Sequence, residues 1–197
     1  MVPDTLLMPL GLAVMAQTWQ LARQELTHSV VKDWLPLGLF LGLAGLSKYT
    51  AVLLLPGVIY SLSQAHGWRW LRQPGPWLAA LLAMLIVSPV FIWNAQHEWA
   101  SFTYQLGHSA GSQAWQIKHM LNYGLAQILL YGLLPLLACV AGLSALKRRG
   151  TFAIAHLCLS FALPGLLVAL VLSGRGAALP HWTSSGWVCL LPLAGLG

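Results

Sequence analysis

Apolar residues run through this chain in long blocks separated by short polar links, and the blocks predict the elements. Thr5–Ala22 is the first, followed by a link over 23–33 that holds Arg23, Glu25, Lys32 and Asp33. Two shorter blocks, Trp34–Leu46 and Thr50–Leu62, then meet at Ser47-Lys48-Tyr49. Further apolar runs follow, and the predicted spans are 5–22, 34–47, 50–62, 77–93, 122–146 and 151–172, with a partial seventh from 186. As helices the two short blocks each reach roughly 20 Å, less than the ~20 residues of a usual membrane crossing. Two arrangements are open: one long tilted helix with a lysine at its centre, or two short crossings that turn back at Lys48. A lysine at mid-bilayer costs roughly 2.5–3.5 kcal/mol, so it needs a compensating role or a wet location. Short glycine-rich spans paired around a charge are one way to place a binding group inside a membrane protein. The plainer reading is a lysine in an ordinary loop between two short helices.

The links carry their own signals. SQAHGWRWLRQPGP, over 63–76, combines Arg69, Arg72, Trp68 and Trp70, a mixture suited to a headgroup boundary. Pro74 and Pro76 are tolerated at the start of the next helix, and Pro89 predicts a kink within it. The longest polar section, 94–121, reads NAQHEWASFTYQLGHSAGSQAWQIKHML and predicts a surface-lying helix or ordered loop, because an unpaired strand has no place at a bilayer edge.

Composition narrows the class. With 58% apolar and 7% charged residues among 197, the chain is far from the ~25% charge of a soluble domain. The expectation is an all-α polytopic membrane protein, one transmembrane domain over 1–197. The formal net charge of +6 sits in short clusters between apolar runs, which excludes a broad basic face for nucleic acid. Lys147-Arg148-Arg149 and Arg69 with Arg72 mark cytoplasmic turns. Counting from them puts 94–121 and 173–185 outside. Lys48 and Asp4 also fall outside if 34–62 crosses twice; a single crossing would move Asp4 inside. No cleavable signal sequence is evident, and both ends look cut inside apolar runs, so an internal fragment is expected.

Little chemistry is visible in the residues alone. Asp4, ahead of the first block, fits a helix cap or a ligand at the membrane face. His97-Glu98 with His108 and His119 lacks H-E-x-x-H spacing, and a hydrated interfacial role suits these histidines better than zinc. A divalent cation has no convincing ligand set here. His156, inside an apolar run, reads as a polar contact between helices. Cys139, Cys158 and Cys189 read as small buried hydrophobes. Gly38-x-x-x-Gly42, extended by Gly45, is a small-residue stripe of the kind found in tight helix pairs.

GLFLGLAGLSKYTAVLLLPG and PGPWLAALLAMLIVSPVFIWNAQHEWASFTYQ resemble bacterial polytopic glycosyltransferases of the dolichyl-phosphate-mannose–protein mannosyltransferase superfamily. These are family 39 or aminoarabinose-transferase-like enzymes with the GT-C fold. The Pro3-Asp4 start, the run Trp93–Trp99 and Leu179-Pro180-His181-Trp182 match landmarks of that family in the same order. The resemblance implies a partial GT-C-like bundle that transfers a sugar from a polyprenyl-phosphate donor to a lipid, glycan or protein acceptor. The reaction would take place at the outer face of the bacterial inner membrane. It implies Asp4 as a supporting acid, Lys48 facing the lipid phosphate, and His97 and Trp99 at the outer mouth, with Tyr49 and His181 completing the substrate-binding set. The family's principal acid, in a first outer loop, would lie before Met1, so the chain alone is expected to be inactive. A secondary-transporter fragment binding an anionic solute near Lys48 is the alternative, weakened by the lack of an acid within a span. A purely structural membrane subunit is a third reading. Neither donor sugar, acceptor nor oligomeric state is legible.

Overall fold

The computed structural model describes residues 4–26, 30–110, 114–133, 137, 140–141, 144, 147, 151–176 and 178–196. These are helical nearly throughout: α1 (Asp4–Arg23), α2 (Val31–Ser47), a 3-10 turn (Tyr49–Leu54), α3 (Leu55–His66), a second 3-10 turn (Gly67–Arg72) and α4 (Pro74–Gln96). There follow α5 (Ala100–Ala110), α6 (Ile117–Tyr131), α7 (Phe152–Ser173), a 3-10 turn (Pro180–Thr183), α8 (Ser184–Leu190) and a final 3-10 turn (Leu191–Leu196). Most of the basic turn at Lys147-Arg148-Arg149, most of the second half of the 122–146 block, Cys139 and the His108 side chain lie outside the described residues.

Among the described residues two helices, α4 and α7, are long and apolar enough to cross a membrane, with mean hydropathies of 2.1 and 2.2. Trp77, Leu81, Met84, Leu85 and Ile92 of α4 are all exposed, an apolar face that hydrocarbon solvates and water does not. Both observations point to membrane association.

Helices α1 to α4 run alternately between two ends. At one end the Gln17 amide donates to the Asp33 carbonyl (2.8 Å) and the Gln24 amide to the Asp33 carboxylate (3.1 Å), tying the end of α1 to the start of α2. Asp33 also accepts the Val30 N–H (3.0 Å), satisfying one of the donors a helix start leaves unpaired. The Val30 N–H and the Gln24 amide hold the Asp33 carboxyl below the usual carboxylate range. Trp34 stacks on Trp70 at the same end, and His66 bonds the Leu21 carbonyl (3.0 Å).

The core is drawn chiefly from α1, α2, α3, α7 and α8, with Leu7, Val14, Trp34, Leu62, Cys158 and Cys189 among its buried members. Cys158 and Cys189 are free thiols packed as small hydrophobes. His156 meets the Tyr60 hydroxyl at 2.7 Å, a polar link between α7 and α3. The Gly38, Gly42 and Gly45 stripe faces α4: a Cβ on Gly38 would collide with the Ala79 backbone, and one on Gly42 would lie 2.8 Å from the Ile86 side chain.

Candidate functional site

Antiparallel packing of α1 and α2 explains the first feature of the other end. Asp4 occupies the first turn of α1, where the helix dipole favours an anion. Lys48 follows the last turn of α2, where the dipole favours a cation. Because the helices run in opposite directions, these two termini adjoin, and Lys48 Nζ donates to Asp4 Oδ1 at 2.6 Å. Lys48 itself is extended (φ −162, ψ 139); its N–H still reaches the Ala44 carbonyl, and its own carbonyl accepts the Ala51 N–H to start the 3-10 turn. This break aims the lysine along the bundle end rather than around α2. Both side chains are largely enclosed, at 17% exposure for Lys48 and 9% for Asp4. At such burial the attraction is largely offset by desolvation, so the pair is weak evidence for stability and better evidence for a specific arrangement.

His181 joins from the far end of the chain. The Leu179-Pro180-His181-Trp182 stretch forms a 3-10 turn closed by the Trp182 N–H to the Leu179 carbonyl (3.0 Å), and His181 Nε2 comes within 3.8 Å of Asp4 Oδ2. Each oxygen of the Asp4 carboxylate thus faces a nitrogen from a different segment. A small cavity of about 70 Å³ adjoins, lined by Lys48, Thr50, Gln105, Trp182 and Ser185 over apolar Leu7 and Phe161. Ligand sites commonly measure ~300–1,000 Å³, so admission of a sugar phosphate requires this cavity to widen. Two larger cavities, of about 450 and 430 Å³, flank the Tyr60–His156 pair, away from Asp4, Lys48 and His181. Among the described residues no group of three His, Cys, Asp or Glu side chains converges on one point, and Lys48 already occupies Asp4 Oδ1. That donor set does not fit a divalent cation.

Tyr49, His97 and Trp99 belong to a neighbouring aromatic corner. The Asn94 side chain, 1% exposed, donates to the Val90 carbonyl (2.9 Å) and accepts both the Ser101 N–H (3.2 Å) and the Ser101 hydroxyl (2.6 Å). With the serine proton spent on Asn94, the Tyr49 hydroxyl must be the donor in its 2.7 Å contact with Ser101. Phe102 contacts the rings of Tyr49, Phe91 and Trp99. His97 instead stacks on Trp93 at 4.1 Å, and its Nδ1 lies 2.7 Å from the Trp93 carbonyl, which makes Nδ1 the protonated nitrogen.

Of the residues singled out from sequence, Asp4, Lys48 and His181 therefore form one cluster. Tyr49 and Trp99 meet through Phe102, and His97 turns toward Trp93. Asn94 and Ser101 were missed; the only signal was an asparagine at the end of an apolar block, a common helix terminator. Gln105 and Trp182, which line the cavity, lie in stretches that carry the family resemblance but were not singled out as site residues.

The comparisons with known proteins bear on the same segment. The family model for dolichyl-phosphate-mannose-protein mannosyltransferase matches residues 2–93. That covers a little under half of the chain, and it includes Asp4 and Lys48 but not His181. It supports an assignment at the level of the GT-C-like superfamily, and an enzymatic role at that level only. Among curated proteins and among solved structures, no significant match was found.

Proposed function

We propose that the chain forms part of a multi-pass membrane glycosyltransferase. It would move a sugar from a polyprenyl-phosphate donor to a lipid, glycan or protein hydroxyl at the outer face of the bacterial inner membrane. The observation that carries the reading is the Asp4–Lys48–His181 cluster, assembled at one end of the bundle from three distant segments, two of them within the family match.

In the proposed reaction the acceptor oxygen attacks the anomeric carbon while the bond from that carbon to the phosphate oxygen breaks. The acceptor proton passes to a carboxylate, and the negative charge collects on the departing polyprenyl phosphate. Lys48 serves as the charge-assisted donor to that phosphate, where a preorganised cation is worth most as charge develops. Asp4 holds the ammonium in place and acts as supporting acid; His181 offers a second nitrogen beside it. Tyr49, His97 and Trp99 shape the adjoining mouth. The donor's tail stays in the bilayer, each buried CH₂ contributing about 0.8 kcal/mol.

The test is a membrane assay with radiolabelled polyprenyl-phosphate sugar, using cells that carry the gene at its native locus and normalising for inserted protein. Lys48→Ala should raise the donor KM about tenfold or more, as expected for losing a hydrogen bond between charged groups worth ~1.5–3 kcal/mol. Lys48→Arg should recover part of it, because the planar fork is bulkier than an ammonium. Asp4→Asn serves as the control for an uncompensated charge. A Lys48→Ala protein with unchanged donor KM would remove Lys48 from the site.

A further inference from the structure

Gln127 is an amide in the middle of an apolar helix, in the run YGLAQILLY of α6, and it is 6% exposed. Burying an amide is costly unless its groups are met. Its partners all lie on the segment around His181. Nε2 donates to the Pro180 carbonyl at 3.0 Å, and Oε1 accepts both the Thr183 hydroxyl and, at 2.9 Å, the Trp187 indole N–H. One helical turn earlier on the same face, the Tyr123 hydroxyl donates to the Leu179 carbonyl at 3.3 Å. Two consecutive carbonyls immediately before His181 are therefore held by α6. The buried Thr183 side chain, two residues after it, is held by the same amide.

We propose that Gln127 is a positioning residue: its amide brackets the Leu179–Thr183 turn on both sides of His181 and sets the imidazole against Asp4. The consequence for sugar transfer rests on the function proposed above, but the placement itself does not. Among the described residues, the one polar contact of the His181 ring is the 3.8 Å approach to Asp4, too long to orient it alone. An apolar residue of equal length would keep α6 packed on the turn and lose the alignment.

The experiment uses the full chain in membranes, with Cys139, Cys158 and Cys189 replaced by alanine. Asp4→Cys with His181→Cys reports one distance through a short bis-methanethiosulfonate cross-linker. Asp4→Cys with Lys48→Cys reports a reference distance. Gln127→Met should cut the first cross-link several-fold and leave the second unchanged. Should Gln127→Met fail to insert, Trp187→Phe removes a single bond and should give a smaller loss of the same cross-link. Undiminished cross-linking of positions 4 and 181 in Gln127→Met overturns the proposal. In the donor assay, with native cysteines and native Asp4 and His181, Gln127→Met should lower kcat roughly tenfold with the donor KM within about twofold, since Lys48 is untouched. A reduced cross-link with unchanged kcat would overturn the part played in transfer and leave the bracket standing. If no variant or wild-type membrane transfers sugar, the transferase reading fails while the cross-link result still decides the bracket.

Discussion

Glu98 and Trp99 have φ of 54 and 59, two consecutive non-glycine residues in the left-handed region. Each such residue costs roughly 1–2 kcal/mol, so something must hold the turn. Asn94 does so twice: its carbonyl accepts the His97 and Trp99 N–H groups (3.1 and 2.8 Å), and its side chain captures Ser101 just beyond the turn. The strain thereby fixes where α4 ends and where the Tyr49–Phe102–Trp99 corner stands. Asn94→Leu leaves the Ser101 N–H and hydroxyl without their acceptor, and the expected loss is about 1–3 kcal/mol in detergent unfolding. Limited proteolysis should show new cleavage at 97–100 alongside it. An Asn94→Leu protein as stable as wild type would mean that the corner is held from elsewhere.

At the scale of elements, the approach of α2 to α4 decides how α2 can be only 17 residues long and still be anchored. The stripe of Gly38, Gly42 and Gly45 lets α4 lie against the backbone of α2, but the three positions are not equivalent. At Gly38 the obstacle to a Cβ is the Ala79 backbone, its carbonyl oxygen the nearest atom; at Gly42 it is the branched Ile86 side chain, whose Cβ at 2.8 Å is also fixed but whose outer carbons can turn. Gly38→Ala should therefore cost about 1–3 kcal/mol, the usual range for overpacking, and Gly42→Ala less. Thermal unfolding of the two variants in detergent measures the order, and equal losses would show that α2 and α4 simply move apart. The return leg is longer than the apolar block predicts. The 3-10 turn over Tyr49–Leu54, at about 2.0 Å per residue, and α3, at 1.5 Å, together extend roughly 30 Å.

At the scale of the molecule, one end gathers Asp4, Lys48, the Asn94–Trp99 turn and His181, and the other gathers Arg23, Asp33, His66 and the Arg69–Arg72 turn. We predict that α2 and the leg from Tyr49 to His66 cross the bilayer separately, which places the first end outside. In intact cells lacking native cysteines, Lys48→Cys should label with a membrane-impermeant thiol reagent, and Arg69→Cys only after the membrane is opened. The reverse pattern would defeat the orientation, and with it the outer-face site.

The helical class, the membrane-like composition and the small-residue face were legible in the sequence, because each is a local or periodic property of the chain, whereas around Lys48 one tilted helix and two short ones both remained open until the structure showed the break. The sequence also marked Asp4, Lys48 and His181 one by one through family resemblance. Tertiary structure alone decided that these three share one carboxylate, since that depends on antiparallel termini brought together across 44 positions in one case and on a turn near the far end of the chain in the other. It likewise decided that the Tyr49 hydroxyl is committed to Ser101, that His97 folds onto Trp93, and that Gln127 brackets His181. Composition and period report how much of a helix face is apolar. Which polar group meets which is set by packing between segments far apart in the chain, and no local pattern encodes it.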